Sequence, residues 1–218
     1  MQVRTPFTPD RLAALQSNLS AERLARYLND TGGDQVAAVA LYEWNMAISE
    51  AFYSPLQNLE VVLRNALGNA LRARYGADWY LQGGVPPLMY PLPEMLAKAR
   101  EELTRRGIAL EHGRILAELN FGFWGGLLSS RYETSLWRPI FFRAFADRPA
   151  GFKRKTVHDP IERLRRFRNR IAHHEPIHDR NLAEDYAEIL KVVGWISPYM
   201  AVWLDETSKV TAVLAARP

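Results

Sequence analysis

Apolar side chains recur at intervals of three and four along most of the chain, and no stretch shows the sustained alternation that a half-buried strand requires. That restricts the fold to packed helices. From Asp34 onward, Val36, Val39, Ala40, Trp44, Ala47 and Ile48 mark one face of a long amphipathic helix running to about Tyr53. Ser54-Pro55 reads as a fresh start, because proline has no N–H and is best tolerated in a first helical turn. The helix after it carries Leu56, Leu59, Val62, Leu63, Ala66, Leu67 and Leu71 before Gly76. Upstream, Thr8-Pro9 and Ser20-Ala21-Glu22 have the form of N-caps and open two short helices, the second closing near Gly32-Gly33.

Residues 82–93 are rich in glycine and proline and read as the one long connector. Helices are expected at about 93–106, 111–119 and 123–130, with another at about 134–145 that Pro139 bends. The last three are expected at about 158–174, 181–196 and 199–215. No internal repeat or low-complexity tract interrupts this pattern, so the expected architecture is all-α. A chain of 218 residues, 48% hydrophobic, buries a substantial core. Residues 1–218 therefore read as a single domain, with 1–33 as a short N-terminal helical extension.

The most apolar window, Ile189 to Leu204, contains Lys191 and Pro198 and is shorter than the roughly 20 residues of a membrane span. It reads as a buried helix pair rather than a membrane segment. Met1 to Ser20 lacks a signal-type apolar run, and the chain has no cysteine, so a cytoplasmic location is expected. The absence of cysteine also removes disulfides, thiolate metal sites and a cysteine nucleophile.

One segment stands apart chemically. Arg168-Asn169-Arg170-Ile171-Ala172-His173-His174-Glu175-Pro176 places guanidinium, amide and imidazole groups within one to two turns. Imidazole moves protons near neutral pH, guanidinium grips phosphate oxygens, and an amide orients either. Lys153, Arg154, Lys155, Arg163, Arg165 and Arg166 precede it, relieved by Asp159 and Glu162. The formal net charge is only +4, so any nucleic-acid footprint comes from this clustering.

On an ideal helix, Leu164, Phe167 and Ile171 form a core stripe with Ile161 at its border, while Asn169 and His173 share the opposite face near Arg165, Arg166 and Arg170. His174 falls beside Phe167, where a packed structural histidine and a chemical one are both admissible. Arg168 projects about 140° away from His173 in a straight helix. Both reach one phosphate only if the helix unwinds near Pro176 or a second subunit completes the site. Salt bridges to Glu162, Glu184 and Asp185 are the plain alternative for the arginine-rich face.

The string Arg168 to Ile177 resembles the signature of the Abi-like (abortive infection) proteins of bacteria, within the HEPN superfamily of all-α domains. Leu41-Tyr42-Glu43-Trp44-Asn45 through Leu59 to Asn65 resembles the family's first long helices. Leu119 to Trp124 with Leu136-Trp137-Arg138-Pro139 resembles its middle section. The three ordered blocks cover about residues 20 to 200. The resemblance implies a HEPN-like helical bundle with extra N- and C-terminal helices, commonly a homodimer whose motif helices meet. In many relatives it implies a metal-independent endoribonuclease of phage-defence or toxin–antitoxin type. Other HEPN proteins bind RNA or protein without catalysis, and that alternative stays open.

In a metal-independent cleavage the 2′-hydroxyl attacks the neighbouring phosphorus. His173 is the candidate for proton transfer, with His174 or His173 of a second subunit at the other end. Arg168 would stabilise the phosphorane oxygens and Asn169 would orient either group. Arg165, Arg166, Arg170, Lys153, Arg154 and Lys155 are the candidate RNA-binding residues. Arg64 and Asn65, which belong to the resemblance, and Glu175 are candidate supports, although Arg64 could simply pair with Glu60. Trp44, Trp124, Trp137 and Trp195 lie in helical patterns and read as core. The adjacent histidines diverge, and no His-x3-His or carboxylate cluster accompanies them, so no metal or other cofactor is expected. No phosphate-binding glycine loop or serine-hydrolase elbow is present. Expected partners are RNA, a second copy of the chain, and an antitoxin protein or regulatory RNA, with no membrane.

Overall fold

A computed structural model describes residues 8–81 and 83–218. Part of the Met1 to Ser20 reading, at residues 1–7, and Gln82 of the connector lie outside the described residues. Helix α1 (Pro9–Leu19) is capped by Thr8, whose hydroxyl accepts from the Arg11 N–H at 3.4 Å. Ser20 caps α2 (Ala21–Asp30) in the same way, accepting from Arg23 at 3.3 Å. Asp34 opens α3 (Gln35–Tyr75) by accepting from the Val36 and Ala37 N–H groups at 2.9 and 3.0 Å.

Helix α3 corrects the expectation of a break at Ser54-Pro55, because its 41 residues run through Pro55 without interruption. Proline forfeits one backbone hydrogen bond there. Against that loss, Ile48, Phe52, Pro55, Leu56, Leu59 and Leu63 continue one buried stripe across the junction. Ending the helix would rotate half of that stripe out of the core. Helix α3 is the central strut, in contact with α2, and with α5 (His112–Glu118), α6 (Phe121–Gly126), α7 (Arg154–Ala172), α8 (Leu182–Ile196) and α10 (Val210–Ala215). Near its C-terminal end Gly68 lets α5 approach so closely that a Cβ there would meet a Leu116 methyl at 2.4 Å.

Helix α4 (Leu92–Arg105), α5 and α6 lie close to the expected positions. The helix expected at 134–145 does not form. A 3-10 turn at Ser130–Tyr132, a π turn at Glu133–Trp137 and a 3-10 turn at Phe141–Ala144 replace it. Pro139 lacks an N–H for a helical bond, and Leu136, Trp137, Ile140, Phe141 and Phe145 are all buried, a spread wider than one helical face supplies.

Helix α7 begins four residues before the expected start, at Arg154, where the Thr156 hydroxyl accepts the Lys153 N–H at 3.2 Å. At the C-terminus the expected 199–215 helix is two, α9 (Pro198–Thr207) and α10, separated at Ser208-Lys209. The buried pair expected at Ile189 to Leu204 also needs correction. Helix α8 is buried along one face, but α9 buries only Leu204 and leaves Tyr199, Val202 and Trp203 exposed.

The fold is all-α, with no strand among the described residues. None of their helices is long and apolar enough to cross a membrane. The core is one contiguous cluster, and Trp44, Trp124, Trp137 and Trp195 all belong to it.

Candidate functional site

Ile161, Leu164, Phe167 and Ile171 of α7 face the core, as the periodicity predicts. Phe167 meets Phe52 of α3 edge to face, with centroids 4.9 Å apart, and the Arg180 guanidinium lies 4.8 Å from the centroid of the Phe167 ring. This packing fixes the rotation of α7 and carries Arg168 to the rim between α7 and α3. There its guanidinium lies 3.8 Å from Glu60 and donates to the Asn169 side-chain oxygen at 3.4 Å.

Helix α7 ends at the motif. His173 is its C-cap, with its N–H bonded to the Asn169 carbonyl at 2.9 Å. The next two residues close a Schellman turn, the His174 N–H reaching the Ile171 carbonyl at 3.0 Å and the Glu175 N–H reaching the Arg170 carbonyl at 2.8 Å. That turn demands a left-handed residue at position 174, where glycine is usual, and His174 adopts it with φ of 57°. The helix thus unwinds only from His174 onward, while His173 keeps a helical bond, so the unwinding does not bring His173 round to Arg168. His174 is exposed rather than packed on Phe167, and His173 is exposed beside it.

The loop that follows is gripped from several sides. Arg23 of α2 donates to the His174 carbonyl at 2.7 Å, and Arg26 pairs with Asp179 at 2.6 Å. Asn45 of α3, buried, accepts the N–H groups of Ile177 and His178 at 2.8 and 3.1 Å. His178, also buried, meets Asp30 at 2.6 Å and lies against the Tyr27 ring. Arg170 donates to the Pro176 carbonyl and approaches Asp179 at 3.4 Å and Glu175 at 3.6 Å. Helix α2 thus clamps the histidine loop.

Three adjoining cavities run along this surface. The first, about 380 Å³, holds Arg168 together with Glu60 and Arg64 of α3. It shares Tyr53, Ile171 and Ala172 with the second, about 580 Å³, which holds His174, Tyr42 and Met46. The third, also about 580 Å³, shares Arg23, His174 and Glu175 with the second and holds His173 and Ser20. Arg168 and His173 accordingly face different cavities of one continuous groove. Among the described residues, Ser20 (φ of 69°) and His174 are the two non-glycine residues with positive φ, and both line the cavity of His173. Burial pushes the Glu60 carboxyl above its ordinary range, against the opposing pull of Arg168 and then Arg64.

The other predicted residues divide. Arg64 lines the cavity of Arg168, and its Nε is buried without a hydrogen-bond partner among the described residues, whereas Asn65 is exposed and lines none of these three cavities. Arg154 is bound into the protein by Glu133 at 2.9 Å and by the Leu128 carbonyl at 2.7 Å. Arg165 pairs with Glu162 at 2.9 Å, and Arg163 pairs with Glu188. Lys153 and Lys155 are exposed, the latter 3.9 Å from Asp159. Arg166 is exposed and has no ion-pair partner among the described residues.

Sequence reasoning missed Arg23, Arg26, Asn45 and Tyr53. Asn45 left a visible signal, as a polar residue between Leu41, Trp44 and Ile48 on the buried face of α3. The arginines of α2 left none, since a short polar helix is ordinarily a solvated one. Among the described residues no three of His, Asp or Glu are grouped as metal ligands. Comparison with known proteins supplies no relative, for no family model, curated protein or solved structure matches the chain.

Proposed function

We propose that the chain is a metal-independent endoribonuclease with an Abi-like, HEPN-type helical bundle, acting as a homodimer in phage defence or a toxin–antitoxin pair. The observation that carries the reading is the strained His174 beside His173 at the end of an arginine-bearing helix. Left-handed conformations of non-glycine residues cost free energy and gather at working sites, and Ser20 adds a second one to the same cavity. The motif resemblance and the basic surface support it independently.

In this reading one imidazole takes the proton of the 2′-hydroxyl as that oxygen bonds to phosphorus. A second imidazole gives a proton to the departing 5′-oxygen, leaving a 2′,3′-cyclic phosphate and a 5′-hydroxyl. Arg168 holds the phosphorane oxygens, and Asn169, bonded to it, fixes its orientation. Because Arg168 and His173 face different cavities, a second copy of the chain brings them to one phosphate. A non-catalytic RNA-binding module is favoured instead by one observation, that Arg168 and His173 of one chain line different cavities.

The test is incubation of labelled RNA with the protein in EDTA, beside His173→Ala and Arg168→Ala. Cyclic-phosphate ends made by the unmodified protein and lost in both variants are expected. Equal cleavage by purified His173→Ala would overturn the assignment, and bound but intact RNA would establish the binding module.

A further inference from the structure

Arg168, His173 and His174 are suited to a phosphodiester, yet the groove between them is floored by side chains suited to a nucleobase. The edge-to-face contact of Phe52 with Phe167 turns the next residue of each helix, Tyr53 and Arg168, onto the same rim. Tyr53 is 67% exposed and lines both the cavity of Arg168 and the cavity of His174, with Ile171 and Ala172 beneath. Met46, 54% exposed, extends this apolar floor toward Tyr42.

The end of the groove beside α7 is cationic. Arg64 and Arg168 both line this cavity, and Arg168 is held by Glu60 only at 3.8 Å. Against these two guanidinium groups stands the Glu60 carboxyl, which burial pushes above its ordinary range. The remaining charges of the cavities that Tyr53 lines are Glu50 at the far end, Arg23 bonded to the His174 carbonyl, and Glu175 beside Arg170. An exposed aromatic ring that shares a cavity with two guanidinium groups suits a base and its phosphate from a single strand.

We propose that Tyr53, Arg64 and Arg168 form a subsite for one unstacked nucleotide, its base lying on Tyr53 and a flanking phosphate held by the two arginines. The subsite rests on the reading of this groove as an RNA site, and it makes Tyr53 the residue that selects single strands over duplexes. Paired and stacked bases do not reach the ring.

The experiment uses the full chain and labelled 2′-O-methyl oligonucleotides, which lack the nucleophile, as a single strand and as a duplex of the same sequence. Tyr53→Ala is expected to weaken single-strand binding by about tenfold or more. Tyr53→Phe keeps it, and duplex binding is unchanged. Arg64→Gln lowers the salt slope by roughly 0.7. Equal affinities for Tyr53→Ala and the unmodified chain overturn the subsite, as does a failure of the unmodified chain to bind the single strand. Dissociation of an oligomer by Tyr53→Ala overturns it too, assigning the ring to a contact between copies. Cleavage of unmodified RNA separates the two ideas. His173-dependent cleavage with unaltered Tyr53→Ala binding removes the subsite and leaves the ribonuclease, whereas Tyr53-dependent binding without cleavage does the reverse.

Discussion

His174 occupies a backbone position that favours glycine, and this sets a residue-scale test of what the side chain is for. An L-residue held left-handed loses about 1–2 kcal/mol to the contact of its Cβ with the backbone. Glycine would remove that cost while adding some freedom to the unfolded chain. His174→Gly is therefore expected to raise the stability by about 0.5–1 kcal/mol, read as a higher urea midpoint. If His174 moves a proton, the stabilised variant also loses cleavage, a pairing that a merely structural residue does not produce. Another residue-scale test concerns His112, half-buried at the start of α5. The Trp79 indole N–H donates to His112 Nδ1 at 3.2 Å, and burial, then the Arg72 charge, hold the His112 pKa below its ordinary 6.5. Between the folded value and 6.5 the unfolded chain binds more protons, so stability rises with pH. The contribution is complete above the unfolded pKa and is lost as pH falls through the folded one. Urea midpoints measured from about pH 8 to about pH 5 should fall more steeply for the unmodified protein than for His112→Gln, which keeps an acceptor and does not titrate. Parallel curves would show that His112 carries no such linkage.

At the scale of elements, the histidine loop owes its course to α2 and α3 more than to α7. Asn45 alone satisfies two backbone N–H groups of the loop, and removing its side chain leaves both buried without partners. Each such group costs about 1–3 kcal/mol, so Asn45→Ala is expected to lower stability by roughly 2–6 kcal/mol. Amide exchange at Ile177 and His178 should accelerate with it, and unchanged exchange there would show that other contacts hold the loop. The same elements show what was legible in the chain. Caps at Thr8 and Ser20 and the core stripe of α7 follow from local rules, because they depend on residues three or four apart. The continuity of α3 does not, since a local proline rule opposes a stripe whose burial is decided by α6, α7 and α8. The irregular stretch at 130–144 fails for a related reason, as five buried apolar residues outvote helical periodicity. Within the candidate site, the sequence singles out Arg168, Asn169, His173 and His174, and Pro176 hints at the helix end that puts His173 on a cap and His174 in a left-handed turn. The clamp by Arg23 and Arg26 joins residues about 150 positions apart, and no local pattern announces it.

For the molecule as a whole, the basic residues near the motif differ in how much charge they offer a partner. Arg154 and Arg170 point their guanidinium groups at the protein's own oxygens, and Arg165 and Arg163 are paired with carboxylates. Such cations are partly neutralised before any RNA arrives, and withdrawing them breaks internal bonds. Arg166, Lys153 and Lys155 are exposed, and Arg168 is bound only loosely by Glu60. Counterion release depends on cations that meet phosphates, so the two groups should separate in a salt titration. If RNA lies along α7, Arg166→Ala lowers the slope of log affinity against log salt by roughly 0.7 and leaves the fold unchanged. Arg170→Ala should instead lower stability by about 1–3 kcal/mol, through the freed Pro176 carbonyl and Asp179, with the slope changed less than in Arg166→Ala. The reverse result, a slope lowered by Arg170→Ala and untouched by Arg166→Ala, would place the strand on the loop side of the helix. The charge that matters is then the charge left over after folding, a quantity set by ion-pair geometry and not by the formal total of +4.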